Sequence, residues 1–121
     1  MSGNVDSSLP LPVGPLALAG FRVAEVTTGH ITKVDDQLLR EYQDCGPKEH
    51  PQVILVYEHG FFVSTWHNGE DSPENFEKTL LALGHSPAYV NLVMMSHRAG
   101  AKWLNLDCDG SDYGWLPRYS W

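Results

Sequence analysis

Asp107 and Asp109 close an apolar strand in the run Leu104-Asn-Leu-Asp-Cys-Asp-Gly110. An Asp-x-Asp-Gly pattern at a strand end suggests phosphoryl transfer or a bound divalent cation. Phosphoryl transfer needs further catalytic residues downstream, and only twelve residues follow Asp109. A calcium loop needs alternating acidic ligands, a central glycine and a distal bidentate glutamate. Asp107, Asp109 and Asp112 offer oxygens, but Gly110 comes too early and no glutamate follows. The segment therefore reads as a structural turn, with aspartates bonding backbone amides and Gly110 at positive φ. No metal is expected.

Thr28-Gly29-His30-Ile31-Thr32 leaves the first strand and enters a helix, a position where α/β proteins hold ligands. His30 with Thr32 could bind an anion, or His30 could serve as a general base. Combined with the aspartate turn, this defines a candidate ligand or hydrolytic cleft of His30, Thr32, Asp107 and Asp109. It requires the first and last strands to be parallel neighbours. The competing reading makes His30 a loop residue bonded to backbone. His50, His59, His67, His85 and His97 show neither HxH nor HExxH spacing, and no Gly-x-Ser-x-Gly or glycine-rich phosphate loop is present. No catalytic residue or cofactor is assigned, and a non-enzymatic role is favoured.

Trp103, Tyr113, Trp115, Tyr119 and Trp121 crowd the last nineteen residues. Such side chains close small cores and also dominate binding hot spots. Core closure is the first expectation. A partner surface, formed by Trp115, Tyr119 and Trp121 with an acidic edge of Glu70, Asp71, Glu74 and Glu77, is the second.

Several elements must position these groups. Period-two alternation over Phe21–Thr27 predicts a strand, and Thr32 caps a helix with Asp35 completing a capping box. Val34, Leu38, Leu39 and Tyr42 form that helix's expected buried stripe, and Cys45-Gly46-Pro47 stops it. Val53–Tyr57 and Phe61–Trp66, joined by Glu58-His59-Gly60, predict a hairpin. The unbroken apolar run at 53–56 suggests a central strand covered on both faces. Ser72-Pro73 and Ser86-Pro87 each start a helix, ended by Gly84 and Gly100. Val90, Val93, Met94 and His97 are placed on the inner face of the second of these. Lys102–Asp107 is the last strand. The order β-α-β-β-α-α-β predicts an α+β fold, a small mixed sheet of about four strands with helices packed on it. Residues 1–20 read as an extended or mobile arm and residues 21–121 as a single domain.

The 42 % apolar content of this 121-residue chain fits one folded domain. Its net charge of −7 disfavours direct nucleic-acid binding, which depends on neutralising phosphates, and suits a basic protein partner. Cys45 and Cys108 form no CxxC pair, which suggests a reducing compartment. The apolar stretch at Leu9–Phe21 is too short to span a bilayer, and the N-terminus lacks a basic signal-peptide start. A cytoplasmic protein without membrane contact is expected, and a homodimer is compatible with all of this.

With these residues laid out, the chain resembles a family of short bacterial domains of unknown function carried by prophages, plasmids and integrative elements. The resemblance rests on Thr28-Gly-His-Ile-Thr32, Asp36 with Leu38-Leu39, the Tyr57…Gly60-Phe-Phe-Val63 hairpin and Gly84-x-Ser86-Pro87. It rests above all on Gly100-Ala-Lys-Trp-Leu-x-Leu-Asp-x-Asp-Gly110 and the ending Leu116-Pro117-x-Tyr-x-Trp121. It implies a setting rather than an activity: an accessory protein in a bacterial host cell. Three expectations follow. The first is a counter-defence inhibitor (anti-CRISPR or anti-restriction) that binds a nuclease complex; the others are the cleft protein above and an antitoxin-like regulator.

Overall fold

Among the described residues, four strands and three helices carry the fold, and a two-residue strand widens the sheet. The computed structural model describes residues 12, 14, 16, 18–19, 22–43, 45, 49–65 and 72–121. In chain order the elements are β1 (Leu18–Ala19), β2 (Val23–Thr27), α1 (Lys33–Glu41), β3 (Ile54–Tyr57), β4 (Gly60–Ser64), α2 (Pro73–Ala82), α3 (Pro87–Arg98) and β5 (Trp103–Asp107). A 3-10 turn at Thr28–His30 links β2 to α1. The α+β class and its order of main elements agree with the sequence reading. Gly46, Pro47, Trp66, Glu70 and Asp71 lie outside the described residues, as does Phe21.

The sheet order is β1-β2-β5-β4-β3. β5 pairs parallel with β2 and antiparallel with β4, so the last strand joins the two halves of the sheet. Cross-strand rows explain the core. Ala24, Leu104, Val63 and Ile54 lie side by side in register, as do Val26, Leu106 and Phe61, and all seven are buried. Phe76 and Leu80 of α2 and Tyr89, Leu92 and Val93 of α3 complete the cluster. Each such aliphatic or aromatic side chain contributes about 1.5–3 kcal/mol by leaving water. From the N-terminal region, Leu16 joins the core and the Pro12 carbonyl accepts a hydrogen bond from Asn91 Nδ2 at 2.8 Å.

Helix starts follow local chemistry closely. Thr32 and Asp35 form the expected capping box, and Ser72 and Ser86 accept from Asn75 N–H and Tyr89 N–H ahead of an N-terminal proline. Three expectations need correction. Val53–Val56 is the edge of the sheet rather than its centre, because β5 takes the position between β2 and β4. Val53 and Leu55 are 54 % and 52 % exposed. In α1, Val34 is exposed and Asp35 fully buried; the helix is turned so that the carboxylate, not the valine, enters the interior. His97 is only half-buried, although α3 is otherwise buried almost all round.

Candidate functional site

The arrangement required for a cleft at the strand ends is present. β2 and β5 run parallel, and Thr27 faces Asp107 in register. The chain then turns under β2. Gly110 N–H donates to the Asp107 carbonyl at 2.8 Å, and the Ser111 carbonyl accepts from Thr27 N–H at 2.9 Å. Gly110 does not take a positive φ. It is glycine because a Cβ there would lie 2.6 Å from the Val26 carbonyl oxygen. The need is close approach of two backbones rather than a left-handed conformation.

Asp107 is held, not poised. Its row across the sheet runs Asp107, Gly60, Tyr57. Gly60 has no side chain to block the row, so the Tyr57 hydroxyl reaches across and donates to Asp107 Oδ2. Asp109 N–H donates to Oδ1 at 2.8 Å, and Asn105 Nδ2 donates to the Tyr57 oxygen at 2.9 Å. The bonds from Tyr57 and Asp109 hold the Asp107 carboxyl below the usual range. Desolvation and the bond to Asp107 push the Tyr57 phenol up. Donor atoms of Asp107, Cys108 and Asp109 lie within 4.8 Å of one another at the exposed rim. Desolvation and the carboxylates of Asp109 and Asp107 push the Cys108 thiol up, away from nucleophilic use.

His30 is almost completely buried, and both ring nitrogens are engaged. Tyr113 N–H donates to Nε2 at 2.9 Å, so the neutral ring carries its proton on Nδ1 and donates it to the Pro117 carbonyl at 2.7 Å. The ring is thus a clamp on the C-terminal segment. Thr32 is consumed too: its hydroxyl donates to Asp35 Oδ2 at 2.8 Å and accepts from Asp35 N–H. None of His30, Thr32, Asp107 and Asp109 lines a cleft that the described residues form at this end of the sheet. That cleft, about 230 Å³, is bounded by Thr27, Thr28, Gly29, Cys108, Arg118, Tyr119 and Trp121. Arg118 lies against Gly29, where a Cβ would come within 2.8 Å of the guanidinium, and pairs with Asp112 at 2.8 Å. One sequence signal could have found it, since Arg118 is the sole cation among residues 103–121.

The tail is pinned by one main-chain and one indole N–H, and its outer aromatic side chains stay partly exposed. Tyr119 N–H donates to the Gly29 carbonyl at 2.8 Å, and Trp121 Nε1–H to the Ile31 carbonyl at 3.0 Å. Leu116 is the buried plug, and Tyr113 packs against the core. Trp115, Tyr119 and Trp121 remain exposed, Trp121 by 53 %. Of the acidic residues assigned to the same surface, Glu74 is exposed and Glu77 half-buried, both on α2. Among the described residues, Asp112 stands beside the tail cleft through its pair with Arg118.

A second polar cluster was not foreseen. Asp35 accepts from Thr32 N–H and hydroxyl, from His85 Nδ1 at 3.1 Å, and from Ser86 N–H and hydroxyl. His85 Nε2 meets His50 Nε2 at 2.9 Å, and Gln52 N–H donates to His50 Nδ1 at 3.1 Å. The last bond sets every tautomer. His50 carries its proton on Nε2 and gives it to His85, whose own proton on Nδ1 goes to Asp35. The close pair of rings is thus part of a hydrogen-bonded chain from His50 to Asp35. Tyr89 stacks on His85 at 4.2 Å and donates to Gln52 Oε1 at 2.5 Å. Burial alone would raise the Asp35 carboxyl, but the bonds from His85, Ser86 and Thr32 outweigh it and hold it low. Burial, aided by His85, depresses His50 to about 3.

Residues 23–121 match the C-terminal domain of a family of unknown function, DUF5983. No curated protein and no solved structure matches the chain.

Proposed function

The chain belongs to the DUF5983 family, and we propose that it acts by binding a protein partner rather than by catalysis. One observation carries this reading: the Tyr119 main-chain N–H and the Trp121 indole N–H are fixed on the Gly29 and Ile31 carbonyls while both side chains stay partly exposed. Aromatic groups held rigid before contact lose little entropy on binding, which is how hot spots gain affinity. Exposed aromatic rings of this kind suit arginine side chains, which stack on their faces. The net charge of −7 favours a basic partner. A nucleic-acid-processing complex of a bacterial host fits this chemistry, with the protein serving a mobile element as a counter-defence inhibitor.

The test is expression in a strain defended by a CRISPR or restriction system, with phage or plasmid entry counted. The wild-type chain is expected to raise entry, and the double variant Tyr119→Ala, Trp121→Ala to lose that effect while keeping its thermal unfolding transition. No rise with the wild type would sink the counter-defence role. Full activity in the double variant would sink the tail surface. The cleft supports a second reading, a small polar ligand held by Thr28 and Arg118 at the ends of two parallel strands.

A further inference from the structure

β3 ends the sheet, and its hydrogen-bonding parity can be read from its junction with β4. Ser64 N–H donates to the Val53 carbonyl at 3.0 Å, and Tyr57 faces Gly60 across the two-residue turn. Hydrogen-bonded and non-hydrogen-bonded pairs alternate in an antiparallel ladder. Val53, Leu55 and Tyr57 therefore turn their backbone groups toward β4, while Ile54 and Val56 turn N–H and C=O outward. Among the described residues nothing pairs with those four groups.

Exposed edges are normally blunted by lysine, proline, a bulge or a covering segment. Val53-Ile-Leu-Val-Tyr57 has no charge and no proline, and Val53 and Leu55 present apolar side chains to solvent. We propose that this edge joins a second copy of the chain, antiparallel, about a two-fold axis at Leu55. In that register Ile54 of each copy faces Val56 of the other as a hydrogen-bonded pair, so the outward groups satisfy one another. Leu55 faces its own copy as a non-hydrogen-bonded pair, where side chains lie closest. Val53 faces Tyr57, and Glu58 faces Gln52. No carboxylate opposes a carboxylate across the axis, although the chain carries net charge −7. A basic partner would find no carboxylate along residues 53–57, whereas an identical strand finds its complement. The contact is isologous and closes at two copies. It is smaller than a standard interface, so the dimer depends on concentration.

Sedimentation of the full chain over a wide concentration range, with amide hydrogen exchange at the same concentrations, tests this. The wild type is expected to shift from monomer to dimer, and Leu55→Lys to raise the dissociation constant at least about tenfold. Leu55 is exposed, and an unchanged thermal transition certifies that the variant is folded. The Ile54 and Val56 amides should slow as the dimer forms, while the Leu55 amide, already bonded to β4, should not. A chain that stays monomeric overturns the proposal. So does a dimer indifferent to Leu55→Lys, or one whose formation leaves the Ile54 and Val56 amides unchanged.

Discussion

His30 and His85 are both buried imidazoles with both ring nitrogens engaged, yet they hold different kinds of neighbour. His30 bonds two main-chain groups of the C-terminal segment, the Tyr113 N–H and the Pro117 carbonyl, with the exposed Asp112 carboxylate 3.4 Å away. His85 bonds two side chains, His50 and the fully buried Asp35. Groups near the surface regain water when their partner is lost. Groups in the interior do not, and an unsatisfied buried acceptor or donor costs about 1–3 kcal/mol, more when charged. The two histidines therefore differ in what their loss exposes: a tail in one case, and the joint between α1, α3 and the segment before β3 in the other.

Asp35→Ala should break the contrast most severely. It strands Thr32, His85 and Ser86 donors around an empty site, and losses of about 3–5 kcal/mol are typical when one partner of a buried charged network is removed. That is a large share of the roughly 5–15 kcal/mol that holds a domain folded. Chemical denaturation measures it, and a midpoint near wild type would show that the cluster is not a structural keystone.

Acid should act on the same cluster next. His50 takes a proton in the folded state only near pH 3, but near its ordinary value of 6.5 once unfolded. Between those values the unfolded chain holds the extra proton, so stability falls as pH falls. The expected slope is roughly 1 kcal/mol per pH unit below the unfolded value. Asp35 adds to the loss below its ordinary 3.8, because its folded carboxyl is held lower still. In a His50→Gln variant the slope between pH 6 and 4 should flatten by about that amount, whatever the starting stability. An unchanged slope would mean that other groups dominate.

His30→Ala should be the mildest of the three, about 1–3 kcal/mol. Its signature is local: faster amide exchange at Tyr113 and Tyr119, with the amides of α3 little changed. Global destabilisation equal to that of Asp35→Ala would erase the distinction between the two histidines.

The parts of this molecule that sequence makes plain are those decided within a few residues. Ser72-Pro73 and Ser86-Pro87 start helices because the hydroxyl and the ring act on the next turn, and the Thr32–Asp35 capping box is equally local. The same Asp35 shows where local reading ends. Its second role depends on His85 and Ser86, fifty residues away, and nothing in the spacing marks them. The apolar run of β3 looks like a central strand until β5 is known to enter between β2 and β4. Gly110 was recognisable as obligatory, but its reason, the Val26 carbonyl, belongs to another strand. His30 could be read as a loop residue bonded to backbone; its partners at Tyr113 and Pro117 could not.

The place of β5 has a consequence for how the protein is made. β2 and β4 touch the same strand on opposite sides, and that strand is the last of the five to be synthesised. Until residues 103–107 emerge, the sheet exists only as two unconnected pieces, each with a hydrophobic face and an open edge. Contacts so distant along the chain form slowly and leave intermediates exposed to aggregation and proteolysis. A nascent chain stalled ahead of Trp103 would be a substrate for chaperones rather than a nearly finished fold.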